Sequence, residues 1–469
     1  MSLQIDKIAK FNRTNLVNEI YRIVSINKSE LRKEVRDFIW PRLGFLHGRS
    51  NRADRYFVFE ESYVETEWKD MISVHYINTS YHVQGTVMRV HIFWKEEISK
   101  ESYLGFFTLR KIDEAKIMLS YIYPNWAKVY YDAQPLCVMT FKKKVHIKGN
   151  EIEFYTYPLF VQDNITVACA HVNMISMTQY LHHKFDYNRV RVLDLNKSFS
   201  LGKTKLFPTT GLNPMQMLEI FDHHNISVGH CAFLLGDEKD EIKIQQQFEQ
   251  YRQYIDYTVE SGIPVMLGIE IKDKDEKIQR HVIQIIGHTQ QNREAYIIYD
   301  DSGYFLKTVF AINGFVGSVL WENLKPHVKA GKSFIIYPIH EKVYILYDDI
   351  KNIFFHMYKN TPMLRQLEED RFSFVEKTRF FLADNRDMKR FLKTSVLSNP
   401  NLGGMIRDII NEILTRDMPH YIWYCEVPLE KGYFIFIADP TYGKFTTKYI
   451  FYNRVPIYSE WQFGLLNYS

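Results

Sequence analysis

The chain has 469 residues, 46% hydrophobic and 24% charged, with a formal net charge of +4. That balance fits a soluble protein of two to four domains with real cores, and it excludes a polyanion such as nucleic acid as an obvious partner. Four widely spaced cysteines without a CxxC pair speak against a disulfide scaffold or zinc ribbon and for a reducing, cytoplasmic setting. The first residues lack a signal-peptide core, and no stretch approaches the ~20 apolar residues of a membrane helix.

In chain order, Leu16, Ile20, Ile23 and Val24 recur at helical spacing, and a second helical segment is expected over 29–39. From about Arg55 the pattern turns to short strands rich in Tyr and Phe, expected at 56–59, 87–93, 103–109, 117–121 and 138–147. Lys142-Lys143-Lys144 is read as a solvated strand end rather than a phosphate contact. A strand at 154–161 is followed by a helix over 168–183, whose apolar residues cover a wide face and predict deep burial. Asn213-Pro214 pairs an N-cap with proline at the first helical position. A longer helix runs from about 240 to 260 and stops at Gly262. Strands then follow at 264–271, 280–288 and 294–300. The remaining third alternates helices near 343–358, 386–394 and 404–414 with strands at 421–427 and 433–437. The expectation is α/β (α+β) in three parts: a β-rich accessory region at 1–150, a catalytic core at 151–340 and an α/β extension at 341–469.

The chemistry is expected around Cys169. A cysteine in the first turn of a buried helix faces unpaired backbone N–H groups and the positive end of the helix dipole, which together favour a thiolate. Taken alone, such a cysteine is more often a small core residue. Gln162, seven residues earlier, adds an amide that can join the Cys169 N–H around an oxyanion. A base is offered by His281 in the run Arg280-His281-Val282-Ile283-Gln284-Ile285-Ile286-Gly287-His288. If the next strand returns after a four-residue loop at 289–292, His288 pairs with Arg293 and His281 with Asp300. Asp300 is then the residue that orients His281. Asp301 points to the other face and stands second, because a bulge would exchange the two.

The order of Gln, helix-start Cys, strand His and strand Asp resembles the papain-like cysteine peptidases. The short spacing and the Val-Ile-Gln-Ile-Ile-Gly-His strand look most like the bacteriocin-processing peptidase branch and its uncharacterised bacterial relatives, over residues ~150–340. The turn Thr210-Gly211-Leu212-Asn213-Pro214 also looks like that family's segment between the Cys and His halves. The resemblance implies a central helix packed on an antiparallel sheet, with Cys169 as nucleophile, His281 as base, Asp300 orienting it and Gln162 lining the oxyanion hole. Departures are Ala170 after the cysteine, where many relatives have glycine, and the missing Cys-Gly-Ser-Cys-Trp signature. The Cys-to-His interval is also shorter than the roughly 130–150 residues of papain itself.

The expected activity is thiol hydrolysis of a peptide or isopeptide bond in a protein or peptide substrate, with no cofactor. Deamidation, transglutamination, other acyl transfer and an inactive scaffold that binds a partner protein are the alternatives. The doublets His182-His183 and His223-His224 and the pair His230-Cys231 lack metal-binding spacing, so no metal site is expected. Cys137, Cys231 and Cys425 read as packing residues.

Overall fold

A computed structural model describes residues 9–11, 13–24, 32, 55–75, 83–110, 117–122, 136–162, 169–195, 211–233, 241–272, 278–289, 295–301, 316–329, 331–360, 378–398, 400, 403–429, 432–441 and 450–452. The first elements are β1 (Ala9–Phe11), α1 (Arg13–Val24), β2 (Arg55–Tyr63), α2 (Thr66–Val74), β3 (Val87–Phe93), β4 (Tyr103–Leu109), β5 (Ile117–Ile122), β6 (Leu136–Val138), β7 (Phe141–Ile147) and β8 (Asn150–Phe160). Next come α3 (Cys169–Phe185), α4 (Val192–Leu195), α5 (Pro214–His223), β9 (Val228–Ala232), α6 (Glu241–Glu260), β10 (Val265–Lys272), β11 (Ile278–Thr289), β12 (Ala295–Tyr299), β13 (Val316–Leu320), α7 (Trp321–Leu324) and β14 (Phe334–Pro338). The chain ends with α8 (Tyr347–Asn360), β15 (Arg379–Asp384), α9 (Asn385–Phe391), α10 (Gly404–Thr415), β16 (Tyr421–Leu429), β17 (Gly432–Ala438) and β18 (Ile450–Tyr452). Of the helix expected at 29–39 only Arg32, which is helical, falls within the described residues.

The fold is mixed α/β, and every pairing with a defined register among the described residues is antiparallel. No helix among them is long and apolar enough to cross a membrane.

The chain divides into two compact units, Met1–Asp237 with Pro264–Ile336, and Glu238–Ile263 with Tyr337–Ser469. This differs from the three expected parts. Residue 150 is not a boundary, because β7 and β8 form a hairpin and the second half of β8 pairs with β5 in the N-terminal sheet, ordered β1-β2-β3-β4-β5-β8-β7. The second sheet of this unit runs β13-β12-β11-β10-β14-β9, and β6 from the N-terminal third pairs with its strand β11. At that junction a Cβ on Gly287 would stand 2.0 Å from the Cys137 carbonyl oxygen, so only glycine lets β6 approach. Helix α6 goes the other way: it belongs to the second unit, where it packs on β15.

Helix α3 packs on β7, β8 and β11 and so joins the two sheets of the first unit. All twelve residues from Ala170 to Leu181 are buried, deeper than an amphipathic surface helix allows. The Asn213 cap is a full capping box: its side chain accepts from Gln216 N at 2.9 Å, and the Gln216 side chain accepts from Asn213 N at 3.0 Å. Strand alternation splits the lysine run. Lys142 and Lys144 face solvent and pair with Glu153 and Glu151 at 2.8 and 2.9 Å. Lys143 instead turns inward over the Tyr121 ring, and burial lowers its pKa to about 8. Two of the three lysines are therefore solvated as expected and the middle one is not.

The second unit has a four-stranded sheet, β15-β16-β17-β18. On one side its core joins Phe354, Phe380, Trp423 and Phe436, and on the other Phe381, Met388, Ile410 and Tyr424. Arg379 is buried between Glu260 and Glu426, a closed ion group whose charges are paired on both sides.

Candidate active site

Cys169 is the first residue of α3 and is half-buried. His281 lies on β11 and is 7% exposed, while Asp300 and Asp301, just past the end of β12, are fully buried. The His281 Nε2–H donates to Asp300 Oδ1 at 2.8 Å. Cys169 is the other neighbour whose side chain raises the pKa of the same imidazole. Burial disfavours charge on this ring. The Asp300 carboxylate outweighs that through its charge and hydrogen bond, Cys169 adds to it, and the pKa of His281 stands well above the usual imidazole value.

The strand register that brings His281 to Asp300 is not the expected one. Gln284 pairs with Tyr299 and Ile285 with Ile298. A bulge between Ile285 and Gly287 then sets His288 opposite Tyr296 rather than Arg293. Extended outward, the inner register puts Asp300 opposite Ile283, two residues along from His281. A shift of two preserves the face, so His281 and Asp300 meet diagonally instead of directly. Asp301 also departs from its expected place. β12 has ended at Tyr299, strand alternation no longer applies, and Asp301 Oδ1 comes to 3.9 Å from His281 Nε2.

The Tyr299 hydroxyl donates to the carbonyl of Phe160, the last residue of β8. Gln162 follows two residues later and is half-buried. Residues 163–168, between it and Cys169, are outside the described residues. The structure thus gathers Cys169, His281, Asp300 and Asp301, and sets Gln162 at the end of a strand tied to the neighbour of Asp300.

Sequence reasoning missed Asn173. It is fully buried in α3, and its Nδ2 donates to Cys169 O at 2.8 Å and to Val282 O at 2.9 Å. A polar residue one turn after the cysteine, in an otherwise apolar stretch, was the available signal.

His281, Asp300 and Asp301 are also the described residues close enough to surround a cation, with ligand atoms all within 4.8 Å of one another. Their geometry is that of a hydrogen bond. A tetrahedral ion with bonds of ~2.0–2.1 Å holds its donors ~3.3 Å apart, wider than the His281–Asp300 contact. The histidine doublets have other partners. His182 Nδ1 meets Tyr187 O at 2.7 Å, His183 stacks on Phe141 with a pKa pushed down to about 3 by burial, and His224 lies 3.6 Å from Asp194. Cys137 and Cys425 are buried and Cys231 is half-buried; burial also raises the Cys425 pKa well above the usual thiol value.

Compared with known protein-family models and with curated proteins, the sequence matches none of them.

Proposed function

We propose that the protein is a cysteine-dependent hydrolase of papain-like design, acting on a peptide or isopeptide bond. The observation that carries this reading is the buried His281–Asp300 hydrogen bond, with Cys169, the first residue of a buried helix, as the further neighbour that raises the pKa of His281. A cysteine, a base and a group that orients the base form the minimal set for thiol acyl transfer. Asp300 stabilises the imidazolium and fixes the ring, and Cys169 is half-buried rather than sealed in the core.

In the first step the Cys169 sulfur attacks the carbonyl carbon and the π electrons move to oxygen. The Cys169 N–H and the Gln162 amide receive that oxyanion. When the intermediate collapses, the C–N bond breaks and His281 gives its proton to the leaving amine, which leaves a thioester on Cys169. His281 then takes a proton from water as the hydroxyl oxygen bonds to the thioester carbon, the C–S bond breaks, and the imidazolium returns the proton to the Cys169 sulfur as the acid leaves. An amine in place of water turns the same sequence into transamidation.

A peptidyl epoxide or chloromethyl ketone tests this reading. It should label Cys169 with saturable kinetics, fail to label Cys231, and lose its rate in His281→Ala. Labelling that is non-saturable and equal at Cys169 and Cys231 contradicts a substrate site and leaves a binding scaffold as the explanation.

A further inference from the structure

Asn173 forms a bridge that the steps above do not use. Its two Nδ2 hydrogens go to the carbonyl of Cys169 and to that of Val282, the residue next to His281. One side chain therefore ties the backbone of the nucleophile to the backbone beside the base. The opposite amide orientation would set an oxygen against two carbonyl oxygens, so the partners decide the orientation. Asn173 Oδ1 is buried without a hydrogen-bond partner among the described residues. The side chain is thus held by its two donated bonds alone.

The bridge has a second stage. The backbone carbonyl of Asn173 accepts from Gln284 Nε2 at 3.1 Å, and Gln284 Oε1 accepts from the Tyr157 hydroxyl of β8. Gln284 is fully buried on β11, one pair before the last pair that precedes the bulge. Tyr157, Gln284 and Asn173 therefore connect β8, β11 and the first turn of α3, the three elements that carry or lead to Gln162, His281 and Cys169.

We infer that Asn173 is a positioning residue that sets the Cys169–His281 separation, a role that rests on the proposed hydrolase reading. Two features make a strap necessary. Cys169 is at the first position of its helix, where the backbone N–H groups lack intrahelical acceptors and helices fray. His281 lies on a strand whose register shifts at a bulge a few residues away. A neutral primary amide supplies two donors without placing a charge beside the imidazolium, which neither aspartate nor a hydroxyl residue can do.

The test measures iodoacetamide alkylation of Cys169 at about pH 6 and at about pH 9.5, where accessible thiols ionise unaided, in wild type, Asn173→Ala and Tyr157→Phe, with circular dichroism as the folding check. At the lower pH, Asn173→Ala should slow Cys169 about tenfold to a hundredfold, and it should change the rate at the higher pH far less. Tyr157→Phe removes only the distant link and should give a smaller loss in the same direction. A purely structural role would lower stability without altering this pH dependence. If folded Asn173→Ala keeps the full rate at low pH, the inference is overturned and the hydrolase reading stands. If Asn173→Ala does not fold, Tyr157→Phe decides, and an unchanged low-pH rate there overturns the inference. A wild type in which Cys169 has no low-pH advantage over Cys231 overturns the hydrolase reading itself.

Discussion

His281 and Asp300 lie 2.8 Å apart in the first unit, and His420 and Asp384 lie 2.7 Å apart in the second. By distance the pairs are equivalent; their surroundings differ. The His281 side chain is 8% exposed, whereas that of His420 is 46% exposed. His281 also has Cys169 as a neighbour that raises its pKa. His420 has Arg386 at 3.3 Å and stacks on Tyr421 at 4.4 Å, and it has no nucleophile beside it among the described residues. Asp384 also caps α9, with Oδ1 accepting from Arg386 N and Asp387 N. Burial would raise the Asp384 pKa, but hydrogen bonds from His420 and Arg386 hold it below the usual value. A histidine–carboxylate contact alone marks a local tie. Burial and a neighbouring thiol that raises the ring's pKa turn the same contact into a candidate base.

Substitutions should separate the two pairs. His281→Ala should have the largest effect, lowering low-pH alkylation of Cys169 by about a hundredfold, whereas His420→Ala should leave that rate unchanged. Asp300→Asn should come next. Loss of the carboxylate should bring the His281 pKa down, read from the pH dependence of its ring-proton NMR signals. Asp301→Asn should shift the same signals less, since Asp301 stands at 3.9 Å and Asp300 at 2.8 Å; the reverse order would make Asp301 the orienting residue.

Stability should follow pH with a definite sign. The folded pKa of His281 is raised, so its contribution is full below the ordinary value of about 6.5 and fades as pH rises through the raised one. The melting-temperature gap between wild type and His281→Phe should therefore narrow as pH rises above neutrality, and a widening gap would contradict the Asp300–imidazolium pair. The smallest effect belongs to His420→Ala, which breaks a half-exposed contact and should cost under about 1 kcal/mol by thermal melting.

Much of the site was legible in local pattern. Cys169 at a helix start and His281 near the start of its strand are where the sequence order placed them, whereas Asp300, expected on the next strand, lies just past its end. The hairpin register was not legible, because four β-branched residues at 282, 283, 285 and 286 suit a strand in any register. Gly287 was the unread sign: glycine inside a strand marks a bulge or a close backbone approach, and here it marks both. The contact survived because the register differs by two residues and so keeps the face. Asp301 was misplaced because alternation was extended past the end of β12. Domain limits failed for a non-local reason, since the pairing of β6 with β11 and of β5 with β8 joins segments that composition separates. Lys143 escaped because the three lysines were read as one block rather than by strand parity.

The most direct measurement is the iodoacetamide rate at Cys169 from about pH 5 to about pH 9, around the ordinary imidazole and thiol values, in wild type and His281→Ala, with Cys231 as the internal reference. The account predicts that wild-type Cys169 reacts far faster than Cys231 at pH 6–7 and that His281→Ala removes the advantage. A Cys169 that is inert there, or indifferent to His281, would contradict it.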